Sequence, residues 1–236
     1  MADDDFDIAG LADYLHISAA QVTKMVERGQ LPGRRVGGEW RFSPSEVHHW
    51  LEQRIGALDE LELGQLEVAL ERAAPPTADA VSIADLLPLE AIAVPFLART
   101  RSSVITSMCE LAATTGWLWD PQRMADAVRQ REDLYPTALD NGVALLHPRR
   151  PMTGILAQPF LALGITSQGI PFSGNRGLLT DLFFLILSTN DQGHLRVLAR
   201  LSRMLADNEF LAQLRAAQSP AAALEVIRNR EQTIVG

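Results

Sequence analysis

Ile8, Leu11, Ala12 and Leu15 recur at steps of three and four residues, which sets them on one side of a helix opening near Asp7. After His16 and Ile17, the run Ser18-Ala19-Ala20-Gln21 has the form of a capping box. In that arrangement the serine oxygen and the glutamine side chain satisfy amides at a helix start. The second helix is expected to bury Val22, Met25 and Val26 and to end at Gly29, which can take the left-handed conformation. Two short helices joined by a tight turn predict a helix-turn-helix. Between Leu31 and Phe42, short β-prone runs flank Gly37-Gly38, a hairpin signal. Ser43-Pro44 then opens a third helix whose apolar face is Val47, Trp50 and Leu51.

Leu58, Leu61, Leu66, Ala69 and Leu70 are spaced like one face of an amphipathic helix. Such a stripe would pair two copies of the chain as a homodimer, or pack on its own domain. Ala74-Pro75-Pro76-Thr77 ends it. From Ser82 onward the pattern predicts helices near 100–115 and 121–130 and strands near 143–147, 152–163 and 180–188. Helices follow over 194–206, 208–217 and 220–229. This order implies an α/β C-terminal domain, a mixed sheet with helices on both faces, behind a small N-terminal winged helix-turn-helix domain. The expected boundaries are 1–55 for the small domain, 56–81 for an acidic helical linker and 82–236 for the α/β domain.

Composition narrows the class. A chain of 236 residues that is 47% hydrophobic and 21% charged is long enough for two cored domains and is expected to be soluble. No apolar run approaches the ~20 residues that span a bilayer. The acidic start Met1-Ala2-Asp3-Asp4-Asp5 differs from a signal peptide, so a cytoplasmic protein with no membrane partner is expected. The single Cys109, in a helical pattern, excludes an intramolecular disulfide and reads as a small buried residue. Five scattered histidines, with the adjacent His48-His49 reading as helix surface, have no metal-ligand spacing. Neither a metal nor another cofactor is expected. The net charge of −8 is unevenly placed. Residues 1–55 carry six Lys/Arg and nine Asp/Glu, residues 56–81 one and six, and residues 82–236 fourteen of each. Neither folded part is basic, which argues against strong nucleic-acid binding.

The most informative stretch runs from Arg131-Glu132 through Thr137 and Gly142-Val143-Ala144-Leu145-Leu146 to His147-Pro148-Arg149. An apolar run delivers one histidine to a turn beside fixed positive charge. Neutral imidazole is a nucleophile near neutral pH, and an arginine nearby can hold the oxygens of a transferred phosphoryl group. Taken alone, an apolar run ending in histidine is an ordinary strand end.

The surrounding residues resemble the phosphorylation-site segment of enzyme IIA domains of the fructose/mannitol/nitrogen class, from the phosphoenolpyruvate-dependent phosphotransferase system. Arg131, Glu132, Thr137, Gly142, Val143, Ala144, His147 and Arg149 fall in register with that family's pattern. Further on, Gly169-Ile170-Pro171-Phe172 resembles its Gly-Ile-x-Phe turn and Leu182–Leu187 its central strand. His194-Leu195-Arg196-Val197-Leu198-Ala199 resembles the helix start that carries its second histidine. The resemblance implies His147 as phosphoryl acceptor, His194 as its partner, Arg149 as charge neutraliser and Thr137 as a hydroxyl contact. The donor it implies is a phosphohistidine carrier protein. Departures lie close to the site: Leu146 where the family usually has proline, Pro148 where it has Gly or Ala, and Tyr135, Pro136 and Asp140 in the turn. Pro148 offers no backbone N–H to a phosphate.

The first fifty residues resemble the excisionase/MerR-like winged helix domain, whose Gly-x-Leu-Pro and Val-Gly-Gly-x-Trp-Arg-Phe signatures are filled here by Gly29–Pro32 and Val36–Phe42. With Val22, Met25 and Val26 facing the core, Gln21, Thr23, Lys24 and Arg28 are expected to point outward, where such a helix meets a DNA major groove. Arg34, Arg35 and Arg41 of the wing would meet the backbone or minor groove. The same surfaces also suit a module re-used for protein contacts. Together the two resemblances imply a regulator reading phosphotransferase status. The alternatives are a nitrogen-type regulatory enzyme IIA that acts by docking, and a descendant that keeps the shape without being phosphorylated.

Overall fold

The computed structural model describes residues 5–15, 17–55, 58, 60–73, 80–172 and 178–235. His16, the Ala74-Pro75-Pro76-Thr77 break and the side chain of His48 lie outside what is described. The chain divides into two compact units, Met1–Ala80 and Val81–Gly236.

In the first unit, α1 (Ile8–Leu15) and α2 (Ala19–Glu27) form the helix-turn-helix. The Ser18 side chain accepts from the Gln21 backbone N–H while the Gln21 side chain accepts from Ser18, so the capping box is present. Gly29 ends the helix with φ +68°. Strands β1 (Arg34–Val36) and β2 (Glu39–Arg41) pair antiparallel around Gly37 and Gly38, both at positive φ as a tight hairpin turn requires. Gly33 sets the wing against the core: a Cβ there would stand 2.7 Å from the Phe42 ring. Helix α3 (Pro44–Ile55) buries Val47 and Leu51, and Leu11, Val22 and Phe42 are buried in the same unit.

Helix α4 (Glu60–Ala73) lies against α1 within the same unit. Its buried positions are Leu63, Glu67 and Leu70, whereas Leu61 is 74% exposed. The apolar face is therefore turned from the expected stripe, because Leu63 takes the place in the buried row that the spacing had given to Leu61.

The second unit is built on strands β3 (Ile92–Ala93), β4 (Val143–Leu146), β5 (Phe160–Pro171) and β6 (Leu179–Leu187), in the order β3-β5-β6-β4. The central pair is antiparallel and both outer pairings are parallel, which makes the sheet mixed. Residues alternate between its faces. Ala144, Leu146, Phe160, Ala162, Phe183 and Leu185 join one core with α5 (Arg101–Ala113) and α6 (Pro121–Leu134). On the other face, α7 (Asp191–Leu205) packs on β6 and α9 (Pro220–Val235) on β3, with α8 (Asn208–Ala216) beside both helices. The strand expected over 152–163 begins only at Phe160, and Thr153–Ile155 form a 3-10 turn instead. Pro151, Gly154 and Pro159 explain the shift, since proline gives no donor to a ladder and glycine favours turns. The two-residue β3 is too short to leave an alternation pattern.

The unit's first residues are held by its last helix. The Glu231 carboxylate accepts from the backbone N–H groups of Ile83 (2.6 Å) and Ala84 (3.1 Å) and from the Ser82 hydroxyl. Arg200 pairs with that carboxylate at 3.3 Å and donates to the Val81 carbonyl. Buried polar groups of this kind are tolerated because each finds a partner.

Candidate functional site

Two parallel strands place the site. Leu146 at the end of β4 pairs with Leu185 of β6, so the segments leaving these strands run side by side. The first gives His147; the second gives Ser188 and then α7, where the Asn190 side chain caps the helix by accepting from Gly193 N–H at 2.7 Å. His194 follows within that helix's first turns. Its ring and that of His147 have centroids 4.9 Å apart, tilted by 55°.

His147 Nδ1 lies 2.8 Å from the Leu145 carbonyl oxygen. A carbonyl only accepts, so Nδ1 carries the hydrogen, and in the neutral ring the lone pair then sits on Nε2. His194 Nδ1 lies 3.2 Å from the Ser188 hydroxyl, which can donate or accept. His147, delivered by its apolar run to the turn after β4, is 2% exposed, and His194 is 4% exposed. The bond to Leu145 folds the first ring back along its own strand, whose four residues are all buried, rather than outward.

Behind this pair stands a second polar layer. Thr137 lies across from the end of β4, its carbonyl accepting from Leu145 N–H. Its hydroxyl bonds closely to Glu132 in the last turn of α6, and its backbone N–H donates to the same carboxylate at 3.2 Å. Burial pushes the Glu132 carboxyl above its ordinary pKa, opposed first by the bonds from Thr137 and then by the nearby His147 ring and Arg101 guanidinium. Arg101 Nη2 approaches Glu132 at 3.9 Å, Nη1 pairs with Asp133 at 3.2 Å, and the guanidinium lies over the Phe172 ring. Glu132, Arg101 and Ser188 were absent from the expected site. The Arg131-Glu132 spacing marked the first of them in the chain, but nothing local marks the other two.

Arg149 is exposed, and with Arg131 and Arg150 it lines a shallow hollow of about 300 Å³ floored by Pro148, Leu134 and Met152. The structure thus brings His147, His194 and Thr137 into one neighbourhood and sets Arg149 on the adjoining surface. Tyr135, Pro136 and Asp140 are exposed in the turn before β4.

Residues 85–230 match the family described as phosphoenolpyruvate-dependent sugar phosphotransferase system, EIIA 2. The chain belongs to this family. Residues 6–55 match a helix-turn-helix domain, so the EIIA domain is joined to an N-terminal helix-turn-helix. The chain is 32% identical over 149 residues to a nitrogen regulatory protein of Bradyrhizobium diazoefficiens, covering 61% of this chain and 94% of that protein. It is 27% identical over 154 residues to the fructose-specific EIIABC component of Bacillus subtilis, covering 64% of this chain but only 24% of that protein. The nitrogen regulatory protein IIA-Ntr of Neisseria meningitidis shares the fold, with a TM-score of 0.54 at 23% identity over 61% of this chain and 98% of that one. Among the described residues, no helix of this EIIA protein is long and apolar enough to cross a membrane.

In the helix-turn-helix unit, several of the expected DNA-facing side chains are already engaged. Gln21 serves the capping box, and the Thr23 hydroxyl donates to the Ala19 carbonyl at 3.0 Å. Arg34 pairs with Asp5 at 2.7 Å, which raises its pKa above the ordinary value, and Arg41 pairs with Glu39 at 2.8 Å. Arg35 lies over the Trp40 ring, 5.0 Å from its centroid. Lys24 on α2 and Arg28 at its C-cap are exposed, and neither forms an ion pair among the described residues.

Proposed function

We propose that the chain is a regulatory protein in which a phosphohistidine-forming EIIA domain is coupled to a DNA-binding module, a transcriptional regulator reading phosphotransferase status. The observation that carries the phosphoryl reading is the His147–His194 ring pair, with His147 Nδ1 tied to Leu145 so that Nε2 bears the lone pair. In the transfer, Nε2 attacks the phosphorus of a phosphohistidine on a carrier protein. A new P–N bond forms, the donor's P–N bond breaks, and its electron pair returns to the donor imidazole. Nδ1–H remains on the Leu145 carbonyl throughout and stabilises the ring as it gains the phosphoryl group. His194 orients the acceptor ring or bonds the arriving oxygens. Arg149 supplies positive charge at the rim, and Thr137 contributes through its bond to Glu132.

The test is label transfer from phosphoenolpyruvate through the general carrier proteins. Wild type takes up label at one site and His147→Ala takes up none. Absence of label on the wild-type chain, under conditions that load another EIIA protein, overturns the acceptor role.

A second reading, regulation by protein docking, is favoured by the 32% identity to a nitrogen regulatory protein and by the internal engagement of Gln21, Thr23, Arg34 and Arg41. In that reading the helix-turn-helix acts as an adaptor. A gel shift at low salt separates the two: a sequence-preferring complex weakened by Lys24→Ala with Arg28→Ala supports DNA binding, and binding without sequence preference supports docking.

A further inference from the structure

Alongside α2 in the first unit runs an open groove of about 590 Å³, closed on its far side by α3 and α4. Its lining interleaves apolar side chains with polar and charged ones, and its volume lies in the range of small-molecule sites, roughly 300–1,000 Å³. Met25, Leu51 and Leu66 supply apolar walls, and Trp50 is fixed in place because its indole N–H donates to the Gln30 carbonyl at 2.7 Å. Lys24 in the last turn of α2 and Arg28 at its C-cap both line the groove, exposed and in no ion pair among the described residues. Glu62 is the one carboxylate among the lining residues.

We propose that this groove binds a small amphiphilic anion: an apolar or aromatic body bearing a single carboxylate, sulfonate or phosphate. The body displaces water from Met25, Leu51, Leu66 and the indole face, while the anionic group is held by Lys24 and Arg28. Two cations against one carboxylate select an anion over a neutral or cationic ligand. A nucleic-acid backbone would use the same cations but has no apolar part to fill the floor, so the apolar walls point to a small molecule. The occupant would also cover Lys24 and Arg28, which form no ion pair among the described residues, making the groove an effector site on the helix-turn-helix unit.

The probe is 8-anilinonaphthalene-1-sulfonate, an aromatic anion whose fluorescence rises in apolar surroundings, titrated into the full chain without DNA. A saturable rise at one site per chain is expected, displaced by 1-naphthoate and not by naphthalene methanol. The exposed double substitution Lys24→Gln with Arg28→Gln should weaken the affinity by about tenfold or more. Met25→Trp, which fills the groove, should abolish the signal, with thermal melts reporting that each variant is folded. A rise that never saturates, or equal affinity in wild type and the charge variant, overturns the proposal. Since no DNA is present, the outcome is separate from whether the unit binds DNA.

Discussion

The Glu132 carboxylate accepts from both the backbone N–H and the hydroxyl of Thr137, five residues further on, and so closes the turn that leads α6 into β4. Its buried position raises its pKa despite those bonds. The folded state therefore keeps a proton at pH values where the unfolded chain, titrating near about 4.3, has released it. Stability from this group is complete below the unfolded value and falls as pH rises through the folded one. Urea unfolding across that window should show wild type losing stability relative to Glu132→Gln, which cannot ionise. Parallel curves for the two proteins would contradict the raised pKa.

The bond from His147 to Leu145 fixes a tautomer. Nitrogen-15 correlation spectra of the unphosphorylated chain at a pH where the ring is neutral should show a protonated Nδ1 and a bare Nε2 for His147. The reverse pattern would mean that the nitrogen assigned as nucleophile is the wrong one.

Gly142 holds φ +86°, and a Cβ there would lie 2.7 Å from Arg215 Nη2 and 3.2 Å from Asp181 Oδ1. Those atoms belong to a tight group in which Arg215 meets Asp181 at 2.8 and 2.9 Å and the Asn141 carbonyl at 2.6 Å. Gly142→Ala combines a left-handed strain with a displaced ion pair, for a loss of about 2–4 kcal/mol. Calorimetry or denaturant unfolding reads it directly, and a change under about 0.5 kcal/mol would show that the group yields without cost.

Cys109 is 1% exposed, and burial pushes its thiol up to about 12. At about pH 8 a disulfide reagent should react at least about a hundredfold faster with the unfolded chain than with the native one, because the thiolate is the attacking form. Equal rates would place the sulfur at the surface.

Local chemistry explains which parts were legible in the chain. The Ser18–Gln21 box, the paired glycines of the wing and the β-rich run before His147 each write their structure within a few residues, and the matching elements stand where the pattern put them. The register Leu146–Leu185 and the meeting of His147 with His194 depend on strand pairing between distant segments. Only the family resemblance carried that information. Arg101 joined Glu132 from a different helix with no pattern to announce it, and the bond that turns the His147 ring toward its own strand is not encoded in hydropathy. The boundary error at 152–163 arose where an apolar count outweighed Pro151, Gly154 and Pro159.

The clasp of Glu231 on Ser82, Ile83 and Ala84 gives the second unit a fixed seam between its own start and its own last helix. Cutting away the final helix should for this reason unravel the unit at its opposite terminus, far along the chain from the deletion.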